Sequence, residues 1–494
     1  MSVILSGCST EDNETSTSQN PDPVNNNPTV ITAASLVIEN TGANGITVSF
    51  SVSEEGSGSG ITEVGVVWSS NPNPTINDNK VSYSSAGSYR SQLAFLNDDT
   101  TYYMRSYGTN SGGTIYGTES SISTLPTSQA LVYDGDITLT SQQEVIDFGY
   151  QNYSKVTGTL AIWGYNYIDS LTPLQTILRV NKLDISGCLG LENLNGLEHL
   201  HTIDGSLTIF ANEGLLNFNG LNSLTEIGDE LDIHNNAHLI SISNLLSLTN
   251  IPGNLKVVNN DQLPNLQGLQ QIDSVGGVVK VSLNDDLTDI SAIAGIQFIG
   301  STFDITGNQS LINIQGFNQL SSIGLDIQIV NNSSLTQING FNAVTAGIRE
   351  IEIRGNVSME SLNGFAGLVS VEDKLIIRDN ISLTSINAFG NLASLDDYLG
   401  ISNNTELSTI SGFNALEVID ADIYFAYNNQ IIDLNAFSSL RDIGDLSIVG
   451  NQLLVDFCAL TPLIANNGVH YFYVVEGNGY NPTKQDILNG DCSL

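Results

Sequence analysis

The sequence predicts a mainly β chain: a parallel β-solenoid of about 13 coils on a 24-residue repeat, preceded by a small antiparallel β-sandwich. Three observations carry this reading. Asparagine recurs every 24 residues at Asn212, Asn236, Asn260, Asn284, Asn308, Asn332, Asn356, Asn380, Asn404 and Asn428, with Cys188 one step earlier and Asn451 23 residues later. Paired aliphatics stand five and three residues before it, as in Leu207/Ile209, Leu231/Ile233, Leu255/Val257, Ile327/Ile329, Ile351/Ile353 and Leu375/Ile377. Their period of two makes a short strand with those side chains inward. Apolar columns follow at plus 3, 6, 9, 12 and 15, of which plus 9 reads Phe317, Phe341, Phe365, Phe389, Phe413, Phe437. Units of this size cannot bury an apolar face alone and must stack on their neighbours. A helical repeat would show 3.6-residue periodicity instead.

Each column has a physical reason. The phenylalanines form a buried aromatic ladder when stacked. The position before them is mostly small (Gly316, Gly340, Gly364, Ala388, Gly412, Ala436), as a tight corner or a close backbone approach requires. At a corner leaving a strand, buried N–H and C=O groups need partners, and an asparagine amide offers two donors and an acceptor. Triplets such as Asn332-Ser333-Ser334 and Asn356-Val357-Ser358 match the glycan-acceptor pattern, but that pattern implies an exposed loop, so they read as coincidences of a buried ladder.

The pattern L-x-I-x-x-N-x-x-L-x-x-I-x-G-F-x-x-L-x-x-I resembles the leucine-rich-repeat-like receptor L domain, known from growth-factor receptor ectodomains and bacterial surface proteins. Ordinary leucine-rich repeats fit less well, because two residues rather than one separate Asn236 from Leu239. Cys188 in the asparagine slot is allowed in both families. The resemblance covers roughly residues 132–494 and speaks to fold; it says little about activity. It implies that the β-sheet face is where a ligand would sit.

In chain order, Leu5-Ser6-Gly7-Cys8 resembles a bacterial lipobox, with Cys8 as the lipidated residue. The signal in residues 1–8 is truncated: no Lys or Arg precedes it and the apolar run is only Val3-Ile4-Leu5. The acidic run Ser9-Thr10-Glu11-Asp12-Asn13-Glu14 is similar to a surface-export signal of Bacteroidetes-type lipoproteins. Residues 9–29 have almost nothing to bury and read as a disordered tether. Residues 30–126 alternate apolar and polar in short strands, and Leu96 to Tyr107, with Tyr102 in the corner position, resembles a fibronectin type III- or Ig-like sandwich. Trp68 reads there as a core residue. Residues 127–159 are a linker and cap, in which Ser141-Gln142-Gln143-Glu144 has a capping-box look. The solenoid occupies 160–457, with strand pairs from Leu160/Ile162 to Leu446/Ile448 and an irregular last one at Tyr473/Val475. Residues 458–494 close the far end, where a Cys458–Cys492 disulfide would act as a staple; two free thiols are the alternative.

The chain carries 52 acidic and 14 basic residues, a formal net charge of −38. That excludes generic nucleic-acid binding, which needs a basic footprint. No metal or cofactor site is expected, and no segment approaches 18 consecutive apolar residues.

The positions four and two residues before the asparagine column form one regular outward face. They include Asp184/Ser186, Asp232/His234, Asp304/Thr306 and Glu352/Arg354. Trp163, Phe210, His234, Lys256, Lys280, Arg354, Arg378 and Tyr424 stand out as candidate ligand-binding residues, because exposed rings and arginines favour interfaces. An ordinary mixed sheet surface is the competing reading. Asp232, His234 and Lys256 could form a catalytic trio, though surface charge explains them more simply. His234 and His238 straddle a corner, which does not suit a metal pair. The clusters Asn97-Asp98-Asp99, Asn284-Asp285-Asp286 and Asp396-Asp397 lack Ca²⁺-loop spacing and fit turns better. No P-loop, nucleophile elbow or dinucleotide fingerprint is present in context.

The expectation is a lipid-anchored protein on the outside of a bacterial outer membrane, mediating recognition or adhesion without catalysis. Its partner would be an extracellular protein or glycan, and its only membrane link the lipid. A structural spacer without a discrete ligand and a polysaccharide-acting β-helix enzyme are the alternatives.

Overall fold

The computed structural model describes residues 30–56 and 60–494; Cys8 and the 9–29 tether lie outside the described residues. The chain divides into two compact units. One comprises Val48–Ser91 and Thr101–Ser123 with the segment ending at Glu39; the other comprises Asn40–Thr47, Gln92–Thr100 and Thr124–Leu494.

The smaller unit holds most of two antiparallel sheets. Gly45–Glu55 is the hub of one, pairing with Val30–Ala33, Val37–Thr41 and Gly87–Ala94. Thr101–Asn110 is the hub of the other, flanked by Glu63–Ser69, Gly113–Tyr116 and Ser120–Ser123, with Asn79–Tyr83 outside Glu63–Ser69. The sheets meet closely: a Cβ at Gly108 would lie 2.6 Å from Ile31 Cγ2. Tyr83 stacks on Tyr89 at 4.0 Å, with Phe50 against both. Trp68 is 9% exposed, a core residue and no ligand platform.

The larger unit is a parallel β-solenoid of about 14 turns. Its main sheet has 18 strands, running from Val132–Tyr133 to Tyr473–Glu476. Register advances one repeat per rung, as in Leu207 to Leu231 to Leu255 to Val279 to Phe303. Two features extend the sequence reading. Ile137–Ser141 is already a rung, with Ile137 opposite Leu160, so the sheet begins inside the segment expected to be linker and cap. Ser141 then caps helix Gln142–Gly149 by accepting from Glu144 N, while the Glu144 carboxylate reaches Thr140 N–H at 2.6 Å. That helix buries Val145 and Phe148 over the first coils.

The asparagines form a continuous chain of hydrogen bonds along the stack. Asn332 Oδ1 accepts from the main-chain N–H of Asn308 (3.1 Å) and from its Nδ2 (3.3 Å). Asn332 Nδ2 donates to Ile305 C=O at 2.9 Å. Every ladder asparagine from Asn212 to Asn451 is fully buried, Asn332 and Asn356 of the acceptor-like triplets included. Cys188 occupies its slot with a weaker contact, Sγ lying 3.7 Å from Ile162 C=O. Asn478 ends the run by accepting from Asn451 N at 3.0 Å.

The residue before each asparagine is left-handed: Asn235, Asn259, Asn331, Asp379 and Asn403 have φ of 55–58°, and Gly187, Gly307, Gly355 and Gly450 share the position. Glycine, Asn and Asp enter this region most easily, whereas Leu283 and Tyr427 occupy it under strain. At the far end Cys458 and Cys492 are joined, S–S 1.99 Å and Cα–Cα 4.9 Å. Helix Lys484–Asn489, with a Thr483/Asp486 capping box, buries Ile487 there. Among the described residues no helix is long and apolar enough to cross a membrane.

Candidate functional site

Inward strand positions are consumed by the core, so the main sheet offers chemistry only on its outer face. That face is partly closed. Ala161, Ser282, Asp304, Val330, Ser402 and Ala426 stand at outward positions yet are buried. Rungs about 4.8 Å apart let long side chains lie over short ones. Tyr398, for example, folds its ring against Gly400, where a Cβ would sit 2.5 Å from Tyr398 Cε1.

The candidate cations are all engaged. Lys256 Nζ lies 2.5 Å from Glu230, Lys280 Nζ 2.6 Å from Asp304, and Arg354 Nε 2.8 Å from Glu352. Arg378 approaches Glu352 and Asp379, each at 3.8 Å. The supposed trio does not assemble: His234 Nδ1 meets Asp232 at 2.9 Å, but Lys256 turns to Glu230. His238 Nδ1 meets Glu213 C=O at 2.7 Å, away from His234. Among the described residues no group of three or more His, Cys, Asp or Glu could hold a metal ion.

The rings fall into two places. Trp163, Ser186, Phe210 and His234 occupy successive rungs of one column. Phe210 stacks on His234 at 4.4 Å and 26°, and Trp163 remains 37% exposed. Tyr424 stands six rungs beyond Lys280, beside Gly400 on the preceding coil. Along the twelve outward pairs, Asp184, Asp232, Asp304 and Glu352 are balanced by Lys256, Lys280, Arg354 and Arg378. Those twelve pairs are therefore charge-neutral on a chain of −38, and the last rung adds Glu476.

Reading outward columns alone missed the partners Glu230, one place ahead of strand Leu231–His234, and Asp326, the first residue of strand Asp326–Val330. Asp326 binds Arg349 through Oδ1 at 3.0 Å and Oδ2 at 2.8 Å. The signal was an opposite charge about one rung away, 23 residues for Asp326 and Arg349 and 26 for Glu230 and Lys256. Nearby, burial raises the Glu350 pKa, with the charges of Asp326 and Glu352 adding to it. Burial also raises Asp397, helped by its hydrogen bond to Asp373. Burial pushes the Cys188 thiol up to about 12, so it stays protonated and unreactive.

One concave feature lies elsewhere, a cavity of about 220 Å³ lined by Ser408, Thr409, Ile410, Ile431, Ile432, Asp433, Leu434, Ala436 and Phe437. It opens where strand Thr409–Ile410 ends a short sheet and the next coil turns away as the 3₁₀ helix Asn435–Phe437. No protein-family model matches the chain, and no curated protein is significantly similar to it.

Proposed function

We propose that the protein is a lipid-anchored recognition module of the bacterial cell surface, binding an extracellular protein or glycan across the outer strand face without catalysis. The observation that carries this reading is the neutral, ring-bearing strip on a strongly acidic molecule. Self-repulsion at −38 keeps other surfaces apart, whereas a balanced strip with Trp163, Phe210 and Tyr424 can accept close contact. Engaged carboxylate–cation pairs supply fixed donors and acceptors rather than a reactive group. The anchor is inferred from Leu5-Ser6-Gly7-Cys8. The test is a glycan-array and surface-protein screen with the whole chain beside a Trp163→Ala, Arg354→Ala, Arg378→Ala variant. A hit lost in the variant is the expected result. A hit retained moves the site off this face, and no hit favours a spacer role.

A further inference from the structure

We infer that the position above Ser186, between Trp163 and Phe210, accepts the guanidinium of an arginine side chain on a protein partner; this rests on the strand-face reading above. Register places Ser186 on the single rung between the two rings. Two rungs separate the rings by about 9.6 Å. A flat group lying between them takes up about 7–8 Å, two contact distances, so the gap admits one. Serine is short enough to leave that slot open, and Phe210 turns its other side to His234.

The floor selects the occupant. Asp184 lies beside Ser186 and accepts its hydroxyl hydrogen bond. Asp232, Asp304 and Glu352 on the same face each have a basic partner within 4.0 Å, whereas among the described residues Asp184 has none. A guanidinium is flat, stacks on aromatic rings and pairs with carboxylates through two parallel N–H donors. Lysine offers the charge without the plane, and a neutral sugar the hydroxyls without the charge. The −38 chain also draws a basic partner toward the face.

The experiment titrates the intact protein with the peptide acetyl-Gly-Arg-Gly-amide, its citrulline and lysine analogues, and maltotriose, following tryptophan fluorescence. A Trp163→Phe variant identifies the signal, since Trp68 is the other tryptophan. Saturable binding of the arginine peptide is expected, at least tenfold tighter than citrulline and weakened by salt. Asp184→Asn should lose tenfold or more, and Ser186→Leu should abolish binding by filling the slot, both with unchanged thermal melts. Equal affinity for arginine and citrulline, an unaffected Asp184→Asn, or binding of maltotriose alone would overturn the inference. If the arginine peptide fails while the screen still yields a ligand lost in the face variant, only this inference falls.

Discussion

Two kinds of coil share one framework in this solenoid, and they differ at the corner that follows the ladder position, between it and the phenylalanine column. In the coils of Cys188, Asn212, Asn260 and Asn284, the residue five places after the ladder position is Asn or Asp. Its side chain accepts the N–H two residues on: Asn193 from Asn195 at 3.1 Å, Asn217 from Asn219 at 3.0 Å, Asn265 from Gln267 at 3.0 Å, Asp289 from Ser291 at 2.8 Å. The chain turns at once, using Gly196, Gly220 and Gly268 at φ of 110–119° or the 3₁₀ helix Ser291–Ile293. In the coils of Asn308 to Asn404 the same stretch is strand instead, Asn313–Gln315, Gln337–Gly340, Ser361–Gly364, Ser385–Ile386 and Thr409–Ile410, stacked as a parallel sheet. There the reversal passes to Gly316, φ 90°, in the Asn308 coil and to phenylalanine in the others: Phe341, Phe365, Phe389 and Phe413 have φ of 54–67°. A bulky residue in that region costs roughly 1–3 kcal/mol. Rings stacked 5.0–5.8 Å apart, at about 0.5–1.5 kcal/mol per pair beyond area burial, offset it. Local side-chain hydrogen bonding makes one corner, and cross-coil pairing makes the other.

The largest effect expected from this contrast is at the ring stack. Phe365→Ala should destabilise by about 3–5 kcal/mol in denaturant melts, through the cavity it leaves; an unchanged midpoint would contradict a buried stack. The asparagine ladder is common to both coil types. Asn332→Ala and Asn260→Ala should each cost about 1–3 kcal/mol, because buried main-chain groups lose their partner. Markedly unequal losses would mean the framework is not shared. Smaller still, Asn217→Ala should cost about 0.5–1.5 kcal/mol by removing the acceptor for Asn219 N, while Ser361→Ala, whose corner rests on the sheet, stays below that range.

The smallest effect is electrostatic. Asp397 has a raised pKa, from burial and from its hydrogen bond to Asp373. The folded state therefore holds that proton more tightly than the unfolded chain. The associated stability is fully present below about 3.8 and is lost as pH rises through the raised value. Asp397→Asn should raise the Tm at pH 7, with the gain vanishing as the pH is taken below 3.8. A gain independent of pH would point to packing instead.

The ladder, the inward aliphatics and the phenylalanine column were legible because each is fixed by a strict 24-residue period. The two corner types were not, since Asn313 is a strand residue and Asn217 a turn acceptor despite the same identity and position. What separates them is how far pairing with the next coil extends: Asn313–Gln315 pairs over three residues with Gln337–Asn339, whereas Asn217 makes only an isolated bridge to Ser241, and no local rule weighs that neighbour. The first rung was hidden because Ile137 precedes Leu160 by 23 residues without a ladder asparagine between. At the site, ring positions followed from the strand alternation. The neutralisation of Lys256 did not, because Glu230 sits one place ahead of strand Leu231–His234.

Hydrogen exchange along the intact chain tests the two-corner account most directly. Strong protection is expected at Ile338, Leu362 and Ile386, which lie in the five-stranded parallel sheet running from Asn313–Gln315 to Thr409–Ile410, and faster exchange at Asn195, Asn219 and Gln267, whose N–H groups rest on single exposed side chains. Equal protection at both corners would contradict it.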